Sequence, residues 1–188
     1  MVIQFCSHCG HTVVFETPPG DNLPRHVCPA CGHIHYENPR LIVGCIATWE
    51  DRILLCKRAI EPRLGYWTLP AGFMENGEST AAAARRETLE EAGADPLIGA
   101  PFAMISIPHI SQIHLFYLGQ LASGEYAAGE ESLAVGLYRE EEIPWQDLSL
   151  SISRAGFRTG WLLLNLPPKL EFDREVGIGI DEARRALP

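Results

Sequence analysis

Residues 72–94 read GFMENGESTAAAARRETLEEAGA, and this stretch decides how the rest of the chain is read. Gly72 and Gly77 bracket a loop, Ser79 stands at an N-cap position, four alanines follow, and Gly93 supplies the C′ residue. The segment therefore predicts one loop followed by one helix. On such a helix residues three and four apart are surface neighbours, so Glu87 shares a face with Glu90 and Glu91. Like charges at that spacing cost an isolated helix roughly 0.2–0.5 kcal/mol per pair. A hard, oxygen-seeking cation such as Mg²⁺ or Mn²⁺ reverses the repulsion, which makes the three glutamates candidate metal ligands. The rival reading of an E-x-x-E-E run taken alone is a solvated acidic helix face.

Around this window lies a chain of 188 residues with 46% apolar content, enough for one good core and a small appendage. Nothing approaches eighteen consecutive apolar residues, and the opening Met-Val-Ile-Gln-Phe-Cys lacks the basic and apolar regions of a secretory signal. A cytoplasmic protein that does not enter membranes is expected. The formal charge of −9 disfavours nucleic acid as a partner, because backbone binding needs a basic surface to release counterions. A small phosphate substrate carried with a divalent cation is compatible with it. The sequence leaves a homodimer open.

The six cysteines sort into two kinds. Cys6-Ser-His-Cys9 and Cys28-Pro-Ala-Cys31 are C-x2-C knuckles, each followed directly by a glycine. Four thiolates suit tetrahedral Zn²⁺, and fewer than forty residues cannot hold a core without such help, so structural zinc on Cys6, Cys9, Cys28 and Cys31 is expected to fold this segment. The rival is a pair of redox disulfides, for which the βαβ context is missing. Five nearby histidines, His8, His11, His26, His33 and His35, are read as supporting or surface residues, any one of which could replace a cysteine. Cys45 and Cys56 sit in apolar runs, 41–49 and 53–56, that read as a β-hairpin, and their thiols are expected in the core.

Further along, 67–70 reads as a short strand feeding the Gly72 loop. Apolar segments at 102–107, 113–121 and 133–138 follow the helix, Pro144 and Trp145 mark a turn, and 148–166 reads as a second helix with Ile152, Phe157, Trp161 and Leu164 as its stripe. The fold class is α/β: a sandwich of helices about a sheet, preceded by a small metal-bound ribbon. The expected division is a ribbon at 1–36, a main domain at 37–166 and a tail of unclear role at 167–188, with a short helix at 181–187.

The window at 72–94 resembles the Nudix box, G-x5-E-x7-R-E-U-x-E-E-x-G-U, at Gly72, Glu78, Arg86, Glu87, Glu90, Glu91 and Gly93. Thr88 replaces the usual aliphatic residue, and Ala94 is small for the final position. With its ribbon the chain is similar to Nudix hydrolases carrying an N-terminal zinc ribbon, and most to the plant plastid FAD and ADP-ribose pyrophosphatases. Asn38-Pro39, Val43-Gly44-Cys45, 54–58, 67–72 and Ile107-Pro108 carry that likeness. The NADH pyrophosphatases are related, but of their S-Q-P-W-P-F-P-x-S signature only Ser111-Gln112 is kept. The resemblance implies a Nudix-type α/β/α sandwich in which Glu87, Glu90 and Glu91 hold Mg²⁺ or Mn²⁺. It also implies that Glu78 and Arg86 orient the loop against the helix.

Metal on those carboxylates would neutralise a diphosphate and lower the pKa of an attacking water. The implied activity is hydrolysis of a nucleoside diphosphate joined to another moiety, ADP-ribose or FAD first and NADH or NAD next, into two monophosphates. Many family members place a further glutamate at the end of an E-x-x-E before an aromatic strand. Here that position is Ala134, and Glu131, or Glu130 beside it, is the candidate substitute, with a base inside the box as the alternative. Two other readings stay open: cleanup of capped RNA or nucleoside triphosphates, and a nucleotide-sensing regulatory protein that binds a partner through its ribbon.

Overall fold

A computed structural model describes residues 3–149. The chain divides after Pro39 into two compact units. The first holds an antiparallel sheet in the order β1 (Val14–Glu16), β2 (Arg25–Val27) and β3 (Ile34–His35). Its two knuckles are built alike. Cys6 N–H donates to His11 O at 2.8 Å and Cys28 N–H to His33 O at 2.9 Å, while Gly10 and Gly32, both at positive φ, donate back to the carbonyls of Cys6 and Cys28. A residue with a Cβ is strained at that φ, which is why glycine closes each turn.

The second unit is a mixed sheet with one described helix. Its strands are β4 (Arg40–Trp49), β5 (Arg52–Arg58), β6 (Trp67–Thr68), β7 (Ala71–Phe73), β8 (Pro96–Ile107), β9 (Gln112–Leu121) and β10 (Ser132–Tyr138). The main order is β10-β5-β4-β9-β8, with β4 and β9 parallel and the other described pairs antiparallel. The hairpin read at 41–56 is present, but β4 and β5 pair only at its tip, Thr48 with Ile53 and Trp49 with Arg52. Beyond the tip β4 turns to β7 and β5 to β6, so the segment 67–73 wedges the two strands apart with Leu69 and Pro70 buried. This corrects the sequence reading: Gly72 belongs to a strand, and the loop begins after Phe73.

β4 is apolar without alternation because both of its faces are covered. Val43, Cys45 and Ala47 pack with Leu54, Cys56 and the helix, whereas Ile46 packs with Ile53, Leu55, Leu69, Phe116, Ile143 and Leu148. Both thiols are unpaired and buried, as expected of small core residues. The helix, α1, spans Thr80–Ala92; Ser79 Oγ accepts from Ala82 N–H, and Gly93 in the left-handed region donates to Leu89 O. Thr88 is fully buried, and its hydroxyl bonds the Ala84 carbonyl at 2.8 Å. That back-bond satisfies the polar atom and lets threonine stand at an aliphatic position.

The second helix read from Leu148 does not start there. A 3-10 turn at Trp145–Asp147 is followed by extended backbone, and Ser149 N–H donates to Trp67 O at 2.8 Å. The rest of that expected helix, its apolar stripe and the expected short helix at 181–187 lie outside the described residues.

Candidate active site and thiol cluster

α1 meets the sheet through small residues, Ala83, Ala84 and Ala92, which lets it sit close enough to aim carboxylates at the backbone of β7. Glu91 Oε2 accepts from Ala71 N–H at 3.2 Å. The Glu87 carboxylate lies where a Cβ on Gly72 would be, in the contact range of a covalent clash. A side chain at position 72 would therefore push the Glu87 carboxylate from its place.

The three glutamates do not share one environment, as the helical spacing had suggested. Glu87 and Glu91 are buried, whereas the Glu90 side chain is 59% exposed. Arg86 ties Glu87 and Glu90 to each other and to Glu78. Its Nε and Nη2 donate to the two Glu78 oxygens at 3.1 and 2.8 Å, its Nη1 to Glu87 at 2.7 Å and Glu90 at 2.9 Å, and its Nη2 also to Phe73 O at 3.1 Å. Glu78 in turn accepts from Glu75 N–H at 2.7 Å. One planar guanidinium therefore joins the loop after β7 to the helix, a role a lysine's single charge centre could not fill.

Burial pushes the Glu91 carboxyl up to about 8 against the Ala71 N–H bond that favours the anion; Glu87 adds repulsion, and Arg58 and then Glu131 act more weakly in opposite directions. Burial raises Glu87 as well, opposed by Arg86. In both, burial outweighs the nearby guanidinium groups, and a divalent cation that takes oxygen ligands suits such carboxyls.

These groups border a cleft of about 860 Å³, also lined by Arg58, Arg63, Ile42, Phe73, Gln112, His114, Phe116, Glu130 and Glu131. Glu131 is held there by its carbonyl, which accepts from Ala59 N–H at 2.8 Å. Ala134 instead sits half-buried on β10, paired with Lys57 after a bulge, and does not line the cleft. The residues missed by sequence reasoning are Arg58, Arg63, Gln112 and His114. For the last two a signal existed: polar residues at alternate positions of an otherwise apolar strand.

In the first unit the four knuckle thiols gather with all sulfurs within 4.8 Å, Cys6 to Cys31 at 3.8 Å and Cys9 to Cys28 at 3.5 Å. Sulfurs at the corners of a tetrahedron with metal–sulfur bonds of about 2.3 Å stand about 3.8 Å apart, so the cluster fits one such ion. Among the described residues it is the group that reaches this spacing; the α1 carboxylates do not.

Residues 4–37 match the family described as Nudix N-terminal, a zinc ribbon, and residues 38–153 match the NUDIX domain. The chain is similar to an ADP-ribose pyrophosphatase of Methanocaldococcus jannaschii, 30% identical over 58% of this chain and 67% of that one. It is also similar to an NAD-capped RNA hydrolase NudC of Chromobacterium violaceum, 35% identical over 48% of this chain and only 32% of that relative's length. Against the NudC of Salmonella heidelberg it spans about half the relative, 53%. A crystal structure of a NUDIX hydrolase from Nitrosomonas europaea superposes with a TM-score of 0.82 at 48% identity, covering 85% of this chain and 90% of that one.

Proposed function

This chain belongs to the NUDIX family, and we propose that its cleft hydrolyses the diphosphate bond of a nucleoside diphosphate joined to another moiety, ADP-ribose or FAD, to give two monophosphates. The observation that carries the reading is the pairing, in one cleft, of the buried carboxyls Glu87 and Glu91, both raised by burial, with the arginines Arg58 and Arg63. The Mg²⁺ or Mn²⁺ that accompanies a diphosphate would offset the cost of burying those carboxylates, and the diphosphate's remaining oxygens suit guanidinium groups.

Glu87, Glu90 and Glu91 would hold the ion. When bound, it screens the phosphate oxygens and acidifies a water. Glu78 fixes Arg86, and Arg86 fixes Glu87 and Glu90, so the ligands are set before substrate arrives. Glu131 lies on the loop beside them, free to take a proton from water. The four thiols of the first unit would hold Zn²⁺, which folds that ribbon. Six unpaired cysteines favour a reducing compartment, the cytoplasm.

The similarity to NAD-capped RNA hydrolases supports a second reading, a nicotinamide dinucleotide end as substrate. Purified protein with Mg²⁺ is to be incubated with ADP-ribose, FAD, NADH and an NAD-capped oligonucleotide, and the products resolved. A higher kcat/KM for ADP-ribose or FAD than for NADH or the capped RNA is expected. A clear preference for NADH or the capped RNA selects the second reading, and no turnover of any of the four rejects both.

A further inference from the structure

On the face of the sheet away from α1, three strands bring a row of side chains into the cleft. His114 of β9 is register partner to Ile42 of β4, and Ile42 to Phe73 of β7. Paired residues of neighbouring strands point to the same face, so the row presents an imidazole, an aliphatic side chain and an aromatic ring that is 48% exposed. Gln112, two residues before His114, lies on the same face of β9, and all four line the cleft that holds the α1 carboxylates. Gln112 Oε1 and His114 Nε2 are 3.2 Å apart, and His114 is 6% exposed.

The geometry points to Gln112 as the residue that reads an adenine ring, with His114 as the positioning residue that fixes which way round the Gln112 carboxamide lies. This deepens the reading of the cleft as a nucleoside diphosphate site and rests on it. A carboxamide is nearly symmetric in shape but not in chemistry, and a free one can turn over to suit either arrangement of donor and acceptor. A neutral imidazole has a single N–H, and burial holds His114 below its ordinary pKa, in that neutral form. With the N–H on Nε2 donating to Oε1, turning the amide over would set donor against donor.

The lock leaves the Gln112 NH₂ and the second lone pair of Oε1 for a ligand. Adenine matches that arrangement: its N6 amino group donates and its neighbouring ring nitrogen accepts, the pairing a glutamine makes in two hydrogen bonds. Hypoxanthine has a carbonyl in place of the amino group, so its O6 would face Oε1 with no proton between them. Ile42 and the face of the Phe73 ring opposite the Arg40 guanidinium, which lies 5.0 Å from its centroid, offer the apolar surface that a flat base covers. The carboxylates reached through Gly72 would then take the diphosphate end of the same molecule.

Full-length protein with its ribbon metal in place is titrated calorimetrically with AMP and with IMP, and its kcat/KM is measured for ADP-ribose and the hypoxanthine analogue. AMP is expected to bind about tenfold or more tightly than IMP, the discrimination a two-bond contact supports. Gln112→Ala should bring the ratio close to one. His114→Phe, which fills the space without a donor, should do the same, and His114→Gln, whose NH₂ can stand where Nε2 stood, should restore a preference. Equal binding of AMP and IMP by the wild type, or an undiminished preference in a folded Gln112→Ala variant, overturns the proposal. Gln112 is only half-buried, so that variant serves even where a change at His114 prevents folding. Selective AMP binding without ADP-ribose turnover would reject the hydrolytic reading while leaving the base site standing. Turnover with equal AMP and IMP binding would do the reverse.

Discussion

Glu91→Gln should stabilise the protein when no divalent ion is bound and abolish its response to Mg²⁺. In the fold the Glu91 carboxyl is pushed up to about 8 from an ordinary 4.5, so the folded chain keeps a proton that the unfolded chain releases. The unfolded state binds fewer protons over that range, and stability falls as pH rises from about 4.5 to about 8, then levels off. At 1.36 kcal/mol per pH unit the loss amounts to about 3 kcal/mol by pH 7 and about 5 kcal/mol in full. Glutamine has the same shape, carries no charge and can still accept from Ala71 N–H through its carbonyl. The variant should therefore melt about 6–12 °C above the wild type at pH 7, taking about 2–4 °C per kcal/mol for a chain of this size. Thermal melts would be followed by circular dichroism from pH 5 to 8.5, on protein freed of Mg²⁺ by gel filtration, without a chelator that would strip an ion from the four ribbon thiols. Added Mg²⁺ should raise the wild-type melting temperature most at the alkaline end, where the carboxylate is ionised, and leave the variant nearly unchanged. A variant that melts below the wild type at pH 8 without Mg²⁺ would refute the reasoning, because Glu91 would then be stabilising the fold as a charge.

Elemental analysis of the purified chain should find about one tightly bound zinc, lost in Cys28→Ser; folded protein without zinc would count against the ribbon site. Glu90→Gln and Glu91→Gln should each lower kcat by at least about a hundredfold with the fold intact, and near-normal turnover in both would move the metal elsewhere. Gly72→Ala places a methyl group on the Glu87 carboxylate and should weaken Mn²⁺ binding measured by electron paramagnetic resonance; unchanged affinity would mean that Glu87 does not hold the ion. Loss of activity in Glu131→Gln with no gain in Ala134→Glu would assign the base to the loop, and the opposite pattern would show that the strand position is the one that matters.

The local features of the box were legible because they depend on near neighbours in sequence. Ser79 and Gly93 cap the helix where capping chemistry puts them, and the thiol cluster follows from two identical turns. What was not legible depends on partners far along the chain. The placement of Gly72 in a strand follows from β4 and β5 parting beyond their tip, a consequence of buried Leu69 and Pro70 that no local pattern announces. The separation of Glu90 from Glu87 and Glu91 is of the same kind. Helical spacing makes the three neighbours, but the sheet covers a face only wide enough for two of them.

That separation gives the site its order of charges. Glu87 and Glu91 sit against β7, where burial raises both and where Gly72 and the Ala71 N–H fix their positions. Glu90 stays in water and is joined to Glu87 by the Arg86 guanidinium that both accept from. The two buried carboxyls therefore carry the desolvation cost that makes a cation favourable, and the exposed one contributes negative charge without adding to that cost. Arg86 holds the arrangement by bonds of 2.7 and 2.9 Å to one buried and one exposed carboxylate. An Arg86→Lys change, which cannot span Glu78, Glu87 and Glu90 from one planar group, should accordingly loosen the site more than the loss of any single ion pair on an exposed helix face would.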